Sequence, residues 1–200
     1  MACALLLITA SGLSPLAAVD RVALALFALC ASLPLGAALS RTATTTRQAA
    51  DHAAGALLAG ATLGLLTTGP EPALAMRTVL WCAAACLVGS TLGGITRGAS
   101  VVVTLTWLGL CALPFVCGAA GRWQPQAEAY ALAGCPWLGM SHDLTGLDPL
   151  HRSVMYLGQW SAISDRAPDG FASALQLWMA AALALSAYLL RSGMPLRARA

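Results

Sequence analysis

Mainly apolar runs long enough to cross a bilayer recur six times in this 200-residue chain, and no other feature restricts its fold so strongly. A helix needs about 20 such residues to traverse roughly 30 Å of hydrocarbon. Only 10% of the residues are charged and 58% are hydrophobic, whereas an ordinary soluble domain carries about a quarter charged residues. The sequence therefore predicts an all-α polytopic membrane bundle, with spans at about 2–19, 22–39, 49–67, 73–95, 99–120 and 171–190. Asp20-Arg21 alone separates the first two, which reads as a tight helical hairpin. Gly69-Pro70-Glu71-Pro72 is a strong stop after the third. By region, 1–121 reads as five transmembrane helices, 122–170 as a long loop with interfacial helices, and 171–200 as the sixth span with a short basic tail.

The charges comprise 11 Arg, 8 acidic residues and no Lys, and their placement sets an orientation. Positive charge in short loops stays cytoplasmic. With both termini inside, Arg41, Arg47, Arg97, Arg191, Arg197 and Arg199 face the cytoplasm, while acidic residues offset Arg122, Arg152 and Arg166 in the outer loop. This is the pattern of a multi-pass protein of the cell (inner) membrane. A rival reading takes the first run as a signal peptide cleaved near Ala17-Ala18, but no basic segment precedes it. The net charge of +3 is too small and too divided to suggest a nucleic-acid partner.

Small residues recur every four positions as Ala56, Gly60 and Gly64 in the third span and as Ala85, Gly89 and Gly93 in the fourth. Such stripes let helices approach closely, here more readily within one chain than in a homo- or hetero-dimer with another membrane subunit. Pro15, Pro34 and Pro114 fall inside spans and predict kinks. Most of the seven Cys lie in apolar runs and read as packing residues, with Cys117 and Cys135 the candidates for a disulfide on an oxidising side.

The 122–170 loop holds three of the six Trp and two of the three Tyr, which suits a bilayer interface. Pro125 reads as the start of a short helix through Leu132, stopped by Gly134 and Pro136. A second starts with Asp148 as cap and Pro149 as first residue, and carries Leu150, Val154 and Leu157 at helical spacing. This second helix is amphipathic and suited to the interface.

Ionisable residues inside spans are the usual marks of ion coupling. No Asp, Glu, His or Lys occupies the middle of any span, and Arg77, four residues into the fourth, is close enough to the surface to snorkel beside Trp81. The chain has no phosphate loop, no HExxH and no GxSxG elbow. Cys135, His142, Asp143, Asp148 and His151 are the nearest approach to a catalytic or metal set, but their spacing fits no standard template. Neither a cofactor nor intrinsic enzyme activity is expected, and any ATP hydrolysis would belong to a partner.

Pro136-Trp137-Leu138 and the stretch from Leu147 to Tyr156, standing before the last of six spans, resemble the outer element of ABC-2 type export permeases. The resemblance is one of topology over most of the chain. It implies a transport subunit powered by a separate ATP-binding partner, with an outer gate at Trp137, Asp148, Pro149, His151, Arg152 and Tyr156. The partner contact would fall on Arg41, Arg47, Asp51 and His52. The chain departs from that family in lacking an amphipathic helix before its first span and in having a short, basic, Thr-rich loop at Ser40–Gln48. The competing expectation is a non-transporting structural or assembly subunit of a larger membrane complex.

Overall fold

The computed structural model of the chain describes residues 18–68, 72–95, 98–119, 134–145 and 170–193. Among them every regular element is a helix: α1 (Ala18–Leu39), α2 (Thr46–Thr68), α3 (Pro72–Gly93), α4 (Ala99–Ala119), α5 (Pro136–Thr145) and α6 (Gly170–Gly193). Four of these, α1, α2, α3 and α6, are long and apolar enough to cross a membrane. Phe27, Leu58, Met76, Phe171 and Leu183 stand exposed on their flanks, as do Val101 and Leu105 on α4. In water such a surface would be an aggregation liability, whereas against lipid tails it costs nothing.

Helix boundaries follow local chemistry, which corrects the sequence reading in three places. First, α1 runs without interruption through Asp20-Arg21, so no hairpin turn lies there. Neither residue breaks a helix, and an acidic residue in a first turn is favoured by the helix dipole. Second, Pro72 opens α3 instead of closing the stop before it, since the first helical position needs no N–H. Third, Pro136 opens α5 by the same rule, although it reads as a terminator in the sequence. The short helices expected at 125–132 and 148–157 lie outside the described residues, as does nearly all of the run 2–19. Thr45 caps α2: its Oγ1 accepts the Gln48 N–H at 3.2 Å, while Gln48 Oε1 accepts from the Thr44 N–H and hydroxyl. Between α3 and α4 the chain turns at Gly98, whose φ of 90° is open only to glycine at low cost.

Helix α3 is the hub. About 72% of its apolar window is buried, against 17% for that of α6. It packs most extensively on α2 and α1, and also meets α6, α4 and α5. Both predicted small-residue stripes pack within the chain. A Cβ on Gly60 would lie 2.5 Å from the Cys82 carbonyl oxygen, and one on Gly64 would lie 2.8 Å from Val79 Cα. Further along α3, a Cβ on Gly89 would lie 2.2 Å from the Leu33 carbonyl oxygen and one on Gly36 only 2.0 Å from that of Cys86. Glycine is therefore what sets the α1–α3 and α2–α3 separations.

Pro34 lies inside α1 and cannot donate to the carbonyl four residues back, that of Cys30. The Trp107 indole of α4 fills the vacancy, its Nε1–H donating to that oxygen at 3.1 Å. The helix defect thus becomes a tertiary bond that seats α4 on α1. Beside it, Cys30 Sγ lies 3.8 Å from Cys111 Sγ, and both are free thiols. Copper phenanthroline, an apolar oxidant, is expected to join these two, read by peptide mass after alkylation. Cys30→Ser or Cys111→Ser should abolish the product. A folded protein in which Cys111 never pairs with Cys30 would contradict this α1–α4 register. Cys135, by contrast, is a buried thiol, and the side chain of Cys117, its candidate disulfide partner, lies outside the described residues.

Candidate functional site

Helix α4 leans on α1 and α3 but scarcely touches α6. The space left between α3, α4, α5 and α6 is a chamber of about 480 Å³, within the usual range of about 300–1,000 Å³ for small-molecule sites. Its walls are mainly apolar, with Val88 from α3, Val103 and Leu110 from α4 and Leu177 from α6. Trp107, fixed by its bond to Cys30, forms a rigid aromatic wall. Polar groups are few: Thr106 of α4 and Ser173 and Gln176 of α6. Cys135 also borders the space, and burial pushes its thiol up to about 12, so it stays neutral at physiological pH. A neutral apolar chamber with three or four dispersed polar groups suits the hydrocarbon part of an amphipathic molecule and is poorly suited to an ion.

The short helix α5 closes one end. Leu138 and Met140 are fully buried, and Trp137 is nearly so, its indole N–H donating to the Cys111 carbonyl at 2.9 Å. A Cβ on Gly139 would strike the Ser173 side chain, which is why α5 lies so close to α6. Asp143 anchors the helix. Its Oδ2 accepts the Trp81 indole N–H at 2.9 Å, its carbonyl accepts from Arg77 Nη1, and its Oδ1 stands 3.8 Å from that same Nη1. One residue earlier, His142 Nδ1 accepts the Gly170 N–H at 3.3 Å, at the start of α6. Arg77 is thus more than a snorkelling charge: it braces α3 to α5. Beside this brace lies a second cleft of about 320 Å³ between α3 and α6, sharing Trp81 and Leu177 with the chamber wall.

The basic residues Arg41, Arg47 and Arg191 gather at the opposite end, where α1 and α6 finish and α2 begins. There the Tyr188 hydroxyl donates to the Arg41 carbonyl at 2.6 Å, and its oxygen lies 3.2 Å from His52 Nδ1. With the hydroxyl proton committed to Arg41, the His52 ring donates and the Tyr188 oxygen accepts. His52 is therefore half-buried and structural in part, whereas Arg41, Arg47 and Asp51 are exposed.

Comparison of the chain with family models, with curated proteins and with solved structures finds no match. Of the residues singled out in the sequence, Trp137 lies inside the bundle, Arg77 at its brace, and Arg41, Arg47, Asp51 and His52 share one end. Asp148, Pro149, His151, Arg152 and Tyr156 lie outside the described residues. The sequence reading missed the pairing of Arg77 and Trp81 with Asp143, which it had grouped with Cys135, His142, Asp148 and His151. Among the described residues no group of three His, Cys, Asp or Glu is arranged to hold a metal ion.

Proposed function

We propose that this protein is a multi-pass transport subunit of the cell (inner) membrane that holds an amphipathic substrate in the chamber between α3, α4, α5 and α6. The observation that carries the reading is the chamber itself: about 480 Å³ of mainly apolar space beside the barely touching pair α4 and α6, with no charged side chain among the described residues that line it. Six spans with both termini cytoplasmic suit this reading, since Arg41, Arg47 and Arg191 share one end of the bundle and Arg77 with Asp143 the other. In this account α5, with Trp137 and Asp143, and the segment carrying Asp148, Pro149, His151, Arg152 and Tyr156 form the outer gate.

The chain contains no ATP-binding motif, so energy comes from a separate ATP-binding subunit, as the ABC-2 permease resemblance implies. Its docking face is the exposed cluster of Arg41, Arg47 and Asp51 beside half-buried His52. Affinity purification from native membranes in a mild detergent is expected to recover a nucleotide-binding ATPase. Arg47→Glu should lower that recovery about tenfold by reversing an exposed docking charge. Purification that consistently yields no ATPase would overturn the coupling and favour a structural subunit.

A further inference from the structure

The cleft of about 320 Å³ between α3 and α6 combines features that the chamber lacks. At one end stand a guanidinium and a carboxylate, those of Arg77 and Asp143. Leu80, Phe171, Leu175 and Trp178 continue it as an apolar trough. The Arg77 side chain is 55% exposed and Asp143 21% exposed, so both can be reached from outside the bundle. Their mutual pairing is incomplete. Arg77 bonds the Asp143 carbonyl through Nη1, which leaves most of a five-donor fork for another acceptor. Asp143 gives Oδ2 to Trp81, while Oδ1, at 3.8 Å from Nη1, is beyond hydrogen-bond reach.

We propose that this cleft binds a zwitterionic aminophospholipid, with the phosphodiester on Arg77, the primary ammonium on Asp143 Oδ1 and an acyl chain in the trough towards Trp178. Charge complementarity selects this occupant. A net anionic headgroup satisfies Arg77 but sets its charge beside Asp143. A choline headgroup carries the positive charge without an N–H to donate to Oδ1. Only an ammonium-bearing phosphodiester matches both groups, and guanidinium and carboxylate each form strong charge-assisted bonds to such partners. The Trp81 and Trp178 rings line the cleft, as amphipathic aromatics do at headgroup depth. The site adjoins the chamber through Trp81 and Leu177 but is independent of the transport reading, because a lipid can be held there whether or not it is carried.

Native mass spectrometry of the delipidated full chain tests this with phosphatidylethanolamine, phosphatidylcholine and phosphatidylglycerol of identical acyl chains. Phosphatidylethanolamine is expected to bind about tenfold more tightly than either of the others. Arg77→Gln, which keeps the Trp81–Asp143 bond, should erase the preference. Asp143→Asn should reverse it in favour of phosphatidylglycerol, with the unfolding midpoint of each variant confirming that it is folded. Soluble phosphoethanolamine should not compete, since it lacks the chain that fills the trough. Equal binding of all three lipids, a preference that survives Arg77→Gln, or full competition by phosphoethanolamine would each overturn the assignment.

Discussion

Replacing Gly36 or Gly89 by Ala is expected to destabilise the bundle by about 3 kcal/mol or more, at the upper end of overpacking costs. The added methyl at Gly36 would stand 2.0 Å from the Cys86 carbonyl oxygen, and that at Gly89 2.2 Å from the Leu33 carbonyl oxygen. Both obstacles are backbone, so no rotamer change relieves them and α1 must move away from α3. That separation forfeits contacts along the whole crossing, and these are what hold membrane helices together, because lipid tails compete equally well for apolar side chains. Gly55 and Gly109 provide the internal control. A Cβ at either meets nothing within 4 Å, so Gly55→Ala and Gly109→Ala should be neutral or stabilising by up to about 1 kcal/mol, the intrinsic helix preference for Ala. Thermal unfolding in one fixed detergent separates the two groups. Equal midpoints for all four variants would mean that α1 and α3 do not cross at glycine.

The second large effect falls on Asp143. Removing its carboxylate strands the indole N–H of Trp81, which is 2% exposed. A buried donor left without an acceptor costs about 1–3 kcal/mol. The Arg77 ion pair adds little, about 0–1 kcal/mol, because the arginine side chain is 55% exposed and screened. Asp143→Ala is therefore expected to lose about 2–3 kcal/mol and to loosen α5 from α3. Asp143→Asn keeps an oxygen for Trp81 and should lose less than about 1 kcal/mol. Tryptophan fluorescence follows the release, since Trp81 would gain water. If the Ala and Asn variants fall together, the indole bond is not what secures α5.

Much of this fold could be read from the residues. Apolar length located α1, α2, α3, α4 and α6, and four-residue spacing identified Gly60, Gly64, Gly89 and Gly93 as packing positions. Gly36 carried the same signal with Ser32 and Ser40, a small-residue repeat obscured by Pro34 between them. Proline was ambiguous in principle: Pro72 and Pro136 serve equally well to stop one helix or to begin the next, and only the following residues' packing decides. The brace was not legible at all. Arg77 and Asp143 are 66 residues apart, and no periodicity links a residue in a span to one in a loop. The same holds for the chamber, which exists because α4 and α6 diverge, a relation between helices and not a property of either.

The chamber's occupancy is the central claim, and photo-cross-linking in native membranes tests it most directly. Benzoylphenylalanine would be introduced at Thr106, on the chamber wall, and separately at Leu58, on the outward face of α2. The account predicts a discrete amphiphile adduct from position 106 that disappears when Ala180→Phe fills the chamber, and a mixture of bulk lipids from position 58 that does not change. The same adducts from both positions, indifferent to Ala180→Phe, would contradict it.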